Sequence, residues 1–543
     1  MLVCRRGMLP VLLIVFLIPL GAVPAVADTA QRMEVLARVG PWPVISRMIG
    51  YRGRVWFANS VKGRNHNSAD LWSLDPQSGD LRYERHLFSQ DAGEPLVHDG
   101  LLYWPYEDTR SSLGWGGIDV TNGEAWRFLV VPSATMFHIH GLVDWHGDLL
   151  ALSSAWRAGL QLSGDRGLTW TELYDHDTEP GKVSRMSTAV VAGARLVGHL
   201  RGAGGFIRLV TWDGDVPRNV SNWTQGDRFH GLTAHGDAAY LVRTGKDGTG
   251  VWIVEGEAAR ALPQHKPGWQ VWDLASDGAR LWALARSGGM AEIWSSPDGA
   301  DWRTEALLEG GEPTTLSAAL GGIYVGGTGE DGHGILWGLV PERMSDAAVK
   351  AVRALPHSSG EESTVNLSGL ASQLDAALAQ PDSYLNHGRG VLRELVYRIA
   401  TAKSSAEVLS SRFAVPLPAD PVPLMGGSKT VAADRLGHWM LLWGMGLAGR
   451  GDVPVQFLGQ PWDVPQHGSE KYFHPLLMTL WTVIQTGQND DETIGALIAR
   501  LEREGDPGWL TGDVVGALSA LTGQRFGYNT AAWRNWWKAR KGQ

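Results

Sequence analysis

The chain has 543 residues, 44% hydrophobic and 19% charged, which is typical of globular proteins and long enough for two or three domains. Its formal net charge of −9 argues against nucleic acid as a partner, because a phosphate backbone repels an acidic surface. The single cysteine, Cys4, lies in a segment that we expect to be removed, which excludes disulfides, cysteine nucleophiles and thiolate metal sites from the mature chain.

The first 27 residues have the pattern of a secretory signal peptide. Arg5 and Arg6 precede an apolar run from Met8 to Leu20, and the small-residue triplet Ala25-Val26-Ala27 follows. We expect cleavage after this triplet and a periplasmic or secreted protein. We predict no membrane span in the mature chain, since its longest apolar run, Trp439 to Ala448, is about half of the roughly 20 residues that a spanning helix needs.

A glycine turn between two apolar strands recurs along the first two thirds of the chain, as in Val97-His98-Asp99-Gly100-Leu101-Leu102-Tyr103. Successive turns are 47, 47, 46, 43, 42 and 43 residues apart. This period indicates one supersecondary unit repeated seven times, and it predicts a seven-bladed β-propeller over residues 28–343. The turn glycines are Gly53, Gly100, Gly147, Gly193, Gly236, Gly278 and Gly321.

The last repeat lacks an outer strand. It contains the apolar runs Gly322–Val325 and Gly334–Leu339 and then stops. Near the N-terminus, the strand-like run Met33–Val39 has no partner of its own in sequence. We predict that residues 33 to 39 complete the last blade, which closes the ring and removes exposed sheet edges.

Two repeats carry a distinctive turn between their outer strands. Ser163-Gly164-Asp165-Arg166-Gly167-Leu168-Thr169-Trp170 matches the Asp-box pattern S-x-D-x-G-x-T-W of BNR repeats, and residues 296–302 form a degenerate copy. With the propeller period, this motif makes the chain resemble the sialidase-like superfamily. The resemblance implies the fold and a turn-stabilising role for the motif. It does not imply sialidase activity, since sialidases have six blades and an Arg-Ile-Pro motif that this sequence lacks.

Residues 344–543 have a helical pattern interrupted by an extended proline-rich connector at 415–423. The tail, residues 521–528 and 532–537, resembles the closing segment of secreted bacterial HEAT-like repeat proteins. We therefore expect an α-helical domain, either a HEAT-like solenoid or an irregular bundle. The predicted helices are Asp346–Leu355, Leu367–Leu378, Val391–Ala402, Ser405–Phe413, Val431–Leu447, Glu470–Thr486, Glu492–Glu504, Asp513–Leu521 and Ala531–Arg540.

The residues just before each turn should form rings at one mouth of the propeller channel, because every innermost strand begins there. Polar residues in these positions alternate with apolar ones, which indicates one packed face and one face towards a polar channel. The first predicted ring is Ser46, Glu94, His140, Ser187, His230, Trp272 and Thr314. The second, two residues earlier, is Val44, Ala92, His138, Arg185, Arg228, Gln270 and Glu312.

These rings predict a ligand site, the alternative being a water-filled channel lined by satisfied polar groups. Guanidinium and aromatic groups suit an anionic or sugar-like ligand. The candidate ligand-binding residues are Glu94, His138, His140, Arg185, Arg228, His230, Gln270, Trp272, Arg110 and Arg157. No cofactor is predicted, although His138, His140, His230 and Glu94 could together hold a divalent metal ion such as Zn²⁺ or Mn²⁺.

Two classes of function fit this pattern. The first is an exported binding or scaffold protein that recognises a glycan or a protein partner and needs no catalysis. The second is a polysaccharide-active enzyme at the channel mouth, a lyase or hydrolase acting on an acidic sugar. Seven-bladed polysaccharide lyases, which use His or Tyr as base, are similar in architecture. Candidates for general acid or base are His140, His230 and Tyr106.

Overall fold

Seven four-stranded antiparallel blades and a set of C-terminal helices make up the computed structural model of the chain. Two short strands precede the blades, β1 (Gln31–Arg32) and β2 (Glu34–Val39). The structure describes residues 31–61, 69–89, 91–107, 115–133, 136–155, 157–176, 185–201, 207–223, 227–246, 248–341, 353–356, 366–380, 391–402, 406–423, 430–464 and 473–542.

The blades follow one another along the chain, and each runs from the innermost strand outwards. Blade one has β3 (Val44–Tyr51), β4 (Arg54–Ser60), β5 (Ala69–Leu74) and β6 (Leu81–Leu87); blade two has β7 (Leu96–His98), β8 (Leu101–Pro105), β9 (Gly116–Thr121) and β10 (Trp126–Val131); blade three has β11 (Met136–Trp145), β12 (Asp148–Ala155), β13 (Ala158–Ser163) and β14 (Thr171–His176). Blade four has β15 (Arg185–Ala192), β16 (Arg195–Arg201), β17 (Ile207–Trp212) and β18 (Arg218–Asn219); blade five has β19 (Arg228–His235), β20 (Ala238–Gly245), β21 (Gly248–Glu255) and β22 (Ala258–Ala261). Blade six has β23 (Gln270–Ser276), β24 (Leu281–Ser287), β25 (Met290–Ser296) and β26 (Arg303–Leu308); blade seven has β27 (Gly311–Ala319), β28 (Gly322–Gly329) and β29 (Gly334–Leu339).

The glycine turns confirm the predicted repeat. All seven lie between the first and second strands of a blade, and their φ angles fall between 57° and 95°. Glycine adopts this left-handed conformation without the steric cost that a Cβ would impose. The period of the turns therefore sets the period of the blades.

The N-terminal strand closes the ring, as predicted. Strand β2 pairs antiparallel with β29, with Glu34 opposite Gly338 and Val39 opposite Gly334. Strand β1, which the sequence did not reveal, pairs in parallel with β26 of blade six. The N-terminal segment thus covers the outer edges of two neighbouring blades.

The two Asp-box-like turns share one hydrogen-bond pattern. In blade three, the Gly167 amide donates to Ser163 Oγ at 2.8 Å and the Thr169 amide donates to Asp165 Oδ1 at 2.9 Å. The indole of Trp170 closes the turn by donating to the Gly167 carbonyl at 3.0 Å. Blade six repeats this arrangement, since the Trp302 indole donates to the Gly299 carbonyl. The motif stabilises a local turn, as its sequence predicts.

The helices agree with the sequence prediction in most of the described C-terminal residues. They are α1 (Leu367–Leu378), α2 (Val391–Ala400), α3 (Ala406–Ser410), α4 (Ala433–Ala448), α5 (Pro475–Thr486), α6 (Asp491–Leu501), α7 (Leu510–Thr522) and α8 (Thr530–Arg540), with 3₁₀ turns at Ser411–Ala414 and Val455–Gly459. Within the described residues, none of these helices has the length and apolar character needed to cross a membrane.

Three details of the helical prediction need correction. Arg353–Pro356 is not helical, and the rest of the predicted helix Asp346–Leu355 lies outside the described residues. The proline-rich connector contains strand β30 (Pro421–Pro423), which pairs with β31 (Thr430–Ala432), so that Val431 precedes helix α4 in an extended strand. Helix α5 begins at Pro475, where His474 caps it by accepting from the Leu476 amide, and the predicted start at Glu470 lies outside the described residues.

One hydrophobic core joins the helices to blades one and two. Phe128 of β10 packs edge-to-face on Trp481 of α5 with ring centroids 5.2 Å apart, and Trp115 contacts Trp443 of α4 at 5.9 Å. The guanidinium carbon of Arg393 lies 4.4 Å from the centroid of the Trp115 ring. The two structural regions therefore share buried surface, while the predicted boundary at residues 343 and 344 lies outside the described residues.

A fully buried ion cluster lies within this interface. His86 of β6 places Nδ1 2.7 Å from Asp70 Oδ1 and Nε2 2.8 Å from Asp513 Oδ1 of α7. The Tyr528 hydroxyl and the Trp42 indole donate to the other Asp70 oxygen at 2.7 and 2.9 Å. Although burial opposes protonation, the hydrogen bonds to Asp513 and Asp70 raise the pKa of His86 to about 9. The imidazolium therefore links the propeller to the helices.

Helix α7 approaches blade one closely because it presents glycines at the contact. A Cβ on Gly516 would overlap His86 Cβ, and one on Gly512 would lie 2.9 Å from the Tyr528 hydroxyl. The four-residue spacing places both glycines on one face of the helix. Because these two positions lack a Cβ, helix α7 lies close enough to blade one for Asp513 to reach His86.

Candidate functional site

A cavity of about 260 Å³ opens at the channel mouth, where the innermost strands begin. Four members of the predicted first ring and one member of the second line it. The lining residues are Val44, Ser46, Arg47, Asp91, His230, Gly231, Trp272, Asp273, Thr314 and Thr315. The predicted mouth thus exists as a cavity, and its lining comes from blades one, two, five, six and seven.

A recurring β-bulge shapes this mouth. The register of the inner strand shifts between Ser46 and Met48, between Val271 and Asp273, and at the corresponding place in blades three, four, five and seven. In blade two, Glu94 precedes the inner strand and forms an isolated bridge with Gly141 of blade three. A bulge adds one residue to a strand and redirects its side chain. The bulges therefore decide which side chains enter the channel.

Arg47 is the bulged residue of blade one, and the sequence analysis missed it. Its φ of 45° is left-handed, a conformation that costs a side-chain-bearing residue about 1–3 kcal/mol. Its Nη1 pairs with Glu94 Oε2 at 2.9 Å. Glu94, followed by Asp91 and Asp273, raises the pKa of Arg47. The sequence signal for Arg47 was its position next to the predicted Ser46. Strict alternation of inward-facing and outward-facing residues excluded it from the predicted ring.

Asp273 is the second lining residue that the sequence analysis missed. Its carboxylate accepts hydrogen bonds from the amides of Leu274 and Leu316 at 3.0 and 2.8 Å, which ties blade six to blade seven. Burial raises the pKa of Asp273 to about 6 despite these donors. The sequence signal for Asp273 was its position next to Trp272, which was predicted.

Trp272 forms an aromatic wall of the mouth, as predicted, and 36% of it is exposed. Arg286 lies over its ring with the guanidinium carbon 4.6 Å from the centroid, and the His230 ring is 5.9 Å away. The guanidinium of Arg286 also pairs with Glu312 at 3.1 Å. Arg228 and Gln270, also predicted, are exposed at the starts of their strands, outside the set that lines the cavity.

His138 and His140 lie in the wall of the channel, each only 7% exposed. His140 Nε2 is 2.6 Å from Ser154 Oγ, and His138 Nδ1 bonds the Glu107 carbonyl oxygen. Burial lowers the pKa of both, that of His140 well below its usual value, so both rings are neutral near pH 7. The Glu107 carboxylate pairs instead with Arg185 at 3.4 Å. These three predicted residues form a polar network beside the cavity and do not line it.

The remaining predicted residues lie elsewhere. Tyr106 is fully buried and its hydroxyl donates to Asp119 Oδ2 at 2.7 Å. Burial and then Asp119 raise the pKa of Tyr106 well above its usual value, and the residue belongs to the core shared with the helices. Arg157 is partly buried and does not line the cavity, while Arg110 lies outside the described residues.

The predicted metal ligands do not converge. In the part of the chain that the structure describes, no three His, Cys, Asp or Glu side chains are arranged to hold a metal ion. Glu94 pairs with Arg47, and His230 packs near Trp272. His138 and His140 have their Nδ1 atoms 4.0 and 3.9 Å from Glu107.

Comparison with known proteins bears on the fold alone. No protein-family model and no curated protein matches this chain. Among solved structures, the propeller domain of the trilobed protease from Pyrococcus furiosus is 8% identical, with a TM-score of 0.40 over 58% of this chain and 100% of that one. The acylaminoacyl peptidase of Pyrococcus horikoshii is 10% identical, with a TM-score of 0.38 over 53% of this chain and 49% of that one. A xyloglucanase from Xanthomonas campestris is 15% identical, with a TM-score of 0.38 over 55% of this chain and 54% of that one. The chain thus spans about half of these two enzymes, and the likeness carries no information about activity.

Proposed function

We propose that the chain is an exported, non-catalytic binding protein whose propeller mouth recognises a glycan. The observation that carries this proposal is the open cavity, where the exposed indole of Trp272 and the charged side chains of Arg47 and Asp273 lie together. The left-handed backbone of Arg47 adds to it, since backbone strain persists where the surrounding structure enforces it and is enriched at functional sites.

The chemistry of the lining supports a carbohydrate. Ser46, Thr314 and Thr315 supply hydroxyl groups, Asp273 supplies carboxylate oxygens, and Trp272 supplies an aromatic face. Convergent polar groups beside one aromatic wall are typical of sites that bind polar small molecules. Sugars present both hydroxyl groups and C–H faces, so they match this combination.

Glycan-array binding by the mature protein tests the proposal. We expect binding that is abolished in Trp272→Ala and weakened in Arg47→Ala. Trp536→Ala is the matched control, because Trp536 of α8 is also partly exposed and carries an arginine, Arg540, 5.5 Å over its ring. Binding that persists in both mouth variants would contradict the assignment of the site. Crosslinking of mouth residues to an envelope protein, without glycan binding, would favour the protein partner instead.

Export is part of the proposal and is tested separately. The signal-peptide pattern of residues 1–27 supports it. We expect the full-length chain expressed in a bacterial host to begin at Asp28 and to fractionate with the periplasm or the medium. Deletion of residues 1–27 should retain the protein in the cytoplasm. An uncleaved N-terminus in the exported protein would contradict the predicted processing.

An enzyme acting on a polysaccharide is the second candidate, and Asp273 is the observation that favours it. A carboxyl group with a pKa of about 6 is partly protonated near neutral pH and can donate a proton to a leaving group. Product analysis on acidic and neutral polysaccharides tests this candidate. Released or unsaturated sugar that disappears in Asp273→Asn, with activity in the unmodified protein falling as the pH rises through about 6, would replace the binding proposal.

A further inference from the structure

The charges at the mouth decide which sugars it can accept. Two carboxylates, Asp91 and Asp273, line the cavity together with one guanidinium, that of Arg47. That guanidinium is already paired with Glu94 at 2.9 Å. A ligand carboxylate would therefore have to displace Glu94 and would approach two further carboxylates. A ligand carboxylate and these two carboxylates would repel more strongly in a recess than in open water, because the effective dielectric constant of a recess is lower.

The size of the cavity limits the ligand to a small unit. Its volume of about 260 Å³ is below the roughly 300–1,000 Å³ of cavities that enclose drug-sized ligands. One sugar ring fits such a space better than an extended chain. The end of a glycan can enter while its remainder projects into solvent.

Trp272 supplies the recognition surface for such a ring. Arg286 stands over the indole and the neighbouring Glu312 holds this guanidinium, so the orientation of the indole is supported from outside the cavity. A supported aromatic face stacks on the C–H surface of a sugar and loses little side-chain entropy on binding. On the adjacent blade, the Thr314 hydroxyl donates to the Gly326 carbonyl and the Thr315 hydroxyl donates to Asp273, so both hydroxyl oxygens can accept hydrogen bonds from the sugar ring.

We infer that the mouth binds a non-acidic terminal sugar of a glycan and discriminates against acidic sugars. This inference rests on the proposed function and specifies its ligand. It departs from the acidic sugar that the sequence suggests, because Arg47, the guanidinium that lines the cavity, is paired with Glu94, and the predicted Arg185 is paired with Glu107. The discriminating groups are Asp91 and Asp273.

Matched pairs of methyl glycosides provide the test. Methyl glucoside and methyl glucuronide differ only at C6, as do methyl galactoside and methyl galacturonide. Titration of the mature protein with each sugar, followed by calorimetry and tryptophan fluorescence, should give at least about tenfold tighter binding of the neutral member of one pair. Methyl glucosaminide is the amine-bearing comparison, and because the same carboxylates attract an ammonium group we expect it to bind at least as tightly as the neutral sugar.

Variants separate recognition of the ring from discrimination by charge. Trp272→Ala should lower affinity for the neutral sugar at least about tenfold, and Trp272→Phe should restore part of it. Asp91→Asn should reduce the preference for the neutral sugar, since it removes one repelling carboxylate. Trp536→Ala should change neither quantity.

The outcomes distinguish this inference from the proposed function. Equal or tighter binding of the uronide, still lost in Trp272→Ala, would overturn the inference and leave the mouth as the site. Failure of every neutral glycoside to bind at millimolar concentration would also overturn it. Binding of any sugar that is unaffected by the mouth variants would overturn the proposed function itself.

Discussion

The cluster of charged side chains where blade one meets helix α7 differs from the cluster at the channel mouth. In the first, both nitrogens of His86 contact carboxylates, and Gly516 leaves no space beside the ring. In the second, Arg47 pairs with Glu94 in a partly exposed site, and a cavity remains around it. The first cluster is filled by the protein's own groups, whereas the second leaves room for another molecule.

The backbone conformation also differs between the interface with helix α7 and the channel mouth. At the interface, glycines lie where two elements approach closely, so the close contact needs no displacement of a side chain. At the mouth, a left-handed conformation falls on Arg47, while glycine takes the corresponding bulge in blade five as Gly231. Removal of one partner from a buried ion cluster is costly, whereas the strained charge beside the cavity is the one that we propose for recognition. This contrast can be tested from both sides.

The largest effect should come from Asp513→Ala. It leaves the buried His86 with one carboxylate in place of two, and removal of one member of a buried ion cluster destabilises by about 3–5 kcal/mol. Thermal unfolding of the full chain, followed by near-ultraviolet circular dichroism, measures it. The control is Asp491→Ala, whose exposed pairs with Arg540 and Lys541 should contribute about 0–1 kcal/mol. Equal losses in the two variants would contradict the buried role of Asp513.

Stability should also depend on pH through His86. Its folded-state pKa of about 9 lies above its ordinary value of 6.5, so its contribution is complete below pH 6.5 and is lost as the pH rises through about 9. Asp70 and Asp513 are the carboxylates that face it, and the Tyr83 and Tyr528 hydroxyls donate to Asp70. Unfolding temperatures measured between about pH 6 and pH 10 should fall, and His86→Gln should flatten this slope. An equal slope in both proteins would contradict the assignment.

Gly516→Ala should weaken the same interface by overpacking. Its new methyl group meets His86, so helix or strand must shift, at a cost of about 1–3 kcal/mol. Gly508→Ala is the control, since a Cβ at Gly508 meets open space. Equilibrium unfolding in urea compares the two variants. A Gly516→Ala protein as stable as the control would show that the interface is looser than described.

The mouth should tolerate substitutions that the interface does not. Arg47→Gly relieves the left-handed backbone strain while losing a partly exposed ion pair, and we expect its free energy of unfolding to change by less than about 1 kcal/mol. Arg38→Gly, which loses a comparable exposed pair with Asp331 from strand β2, should be the less stable protein. If Arg38→Gly were the more stable of the two, the backbone of Arg47 would not be strained.

Trp272→Ala should affect binding more than stability. Its indole is 36% exposed, and loss of its remaining contacts should lower the free energy of unfolding by about 1 kcal/mol, the central value for point variants. Sugar binding, by contrast, should be lost in this variant. Unfolding and binding measured on one preparation check both statements, and a large loss of stability would indicate that Trp272 serves the core.

Sequence determined the parts of this protein that depend on local geometry. Each turn glycine has a positive φ because the tight turn requires it, so their period gives the number of blades. Met33–Val39 was recognisable as the missing strand, since a strand without a partner and a blade without an edge imply each other. Alternation of polar and apolar residues located the mouth and identified Ser46, His230, Trp272 and Thr314 in its lining.

Only the tertiary structure decided which side chains reach the cavity and which are buried. Bulges depend on pairing across strands, and they bring Arg47 and Asp273 to the mouth. Packing between blades buries His140, and packing of helices on blades one and two buries Tyr106, so these candidates for acid–base chemistry lie away from the cavity. The link from His86 to Asp513 spans 427 residues of sequence, and no local pattern encodes a contact that distant. Local rules fixed the repeat, while contacts between distant residues fixed the site.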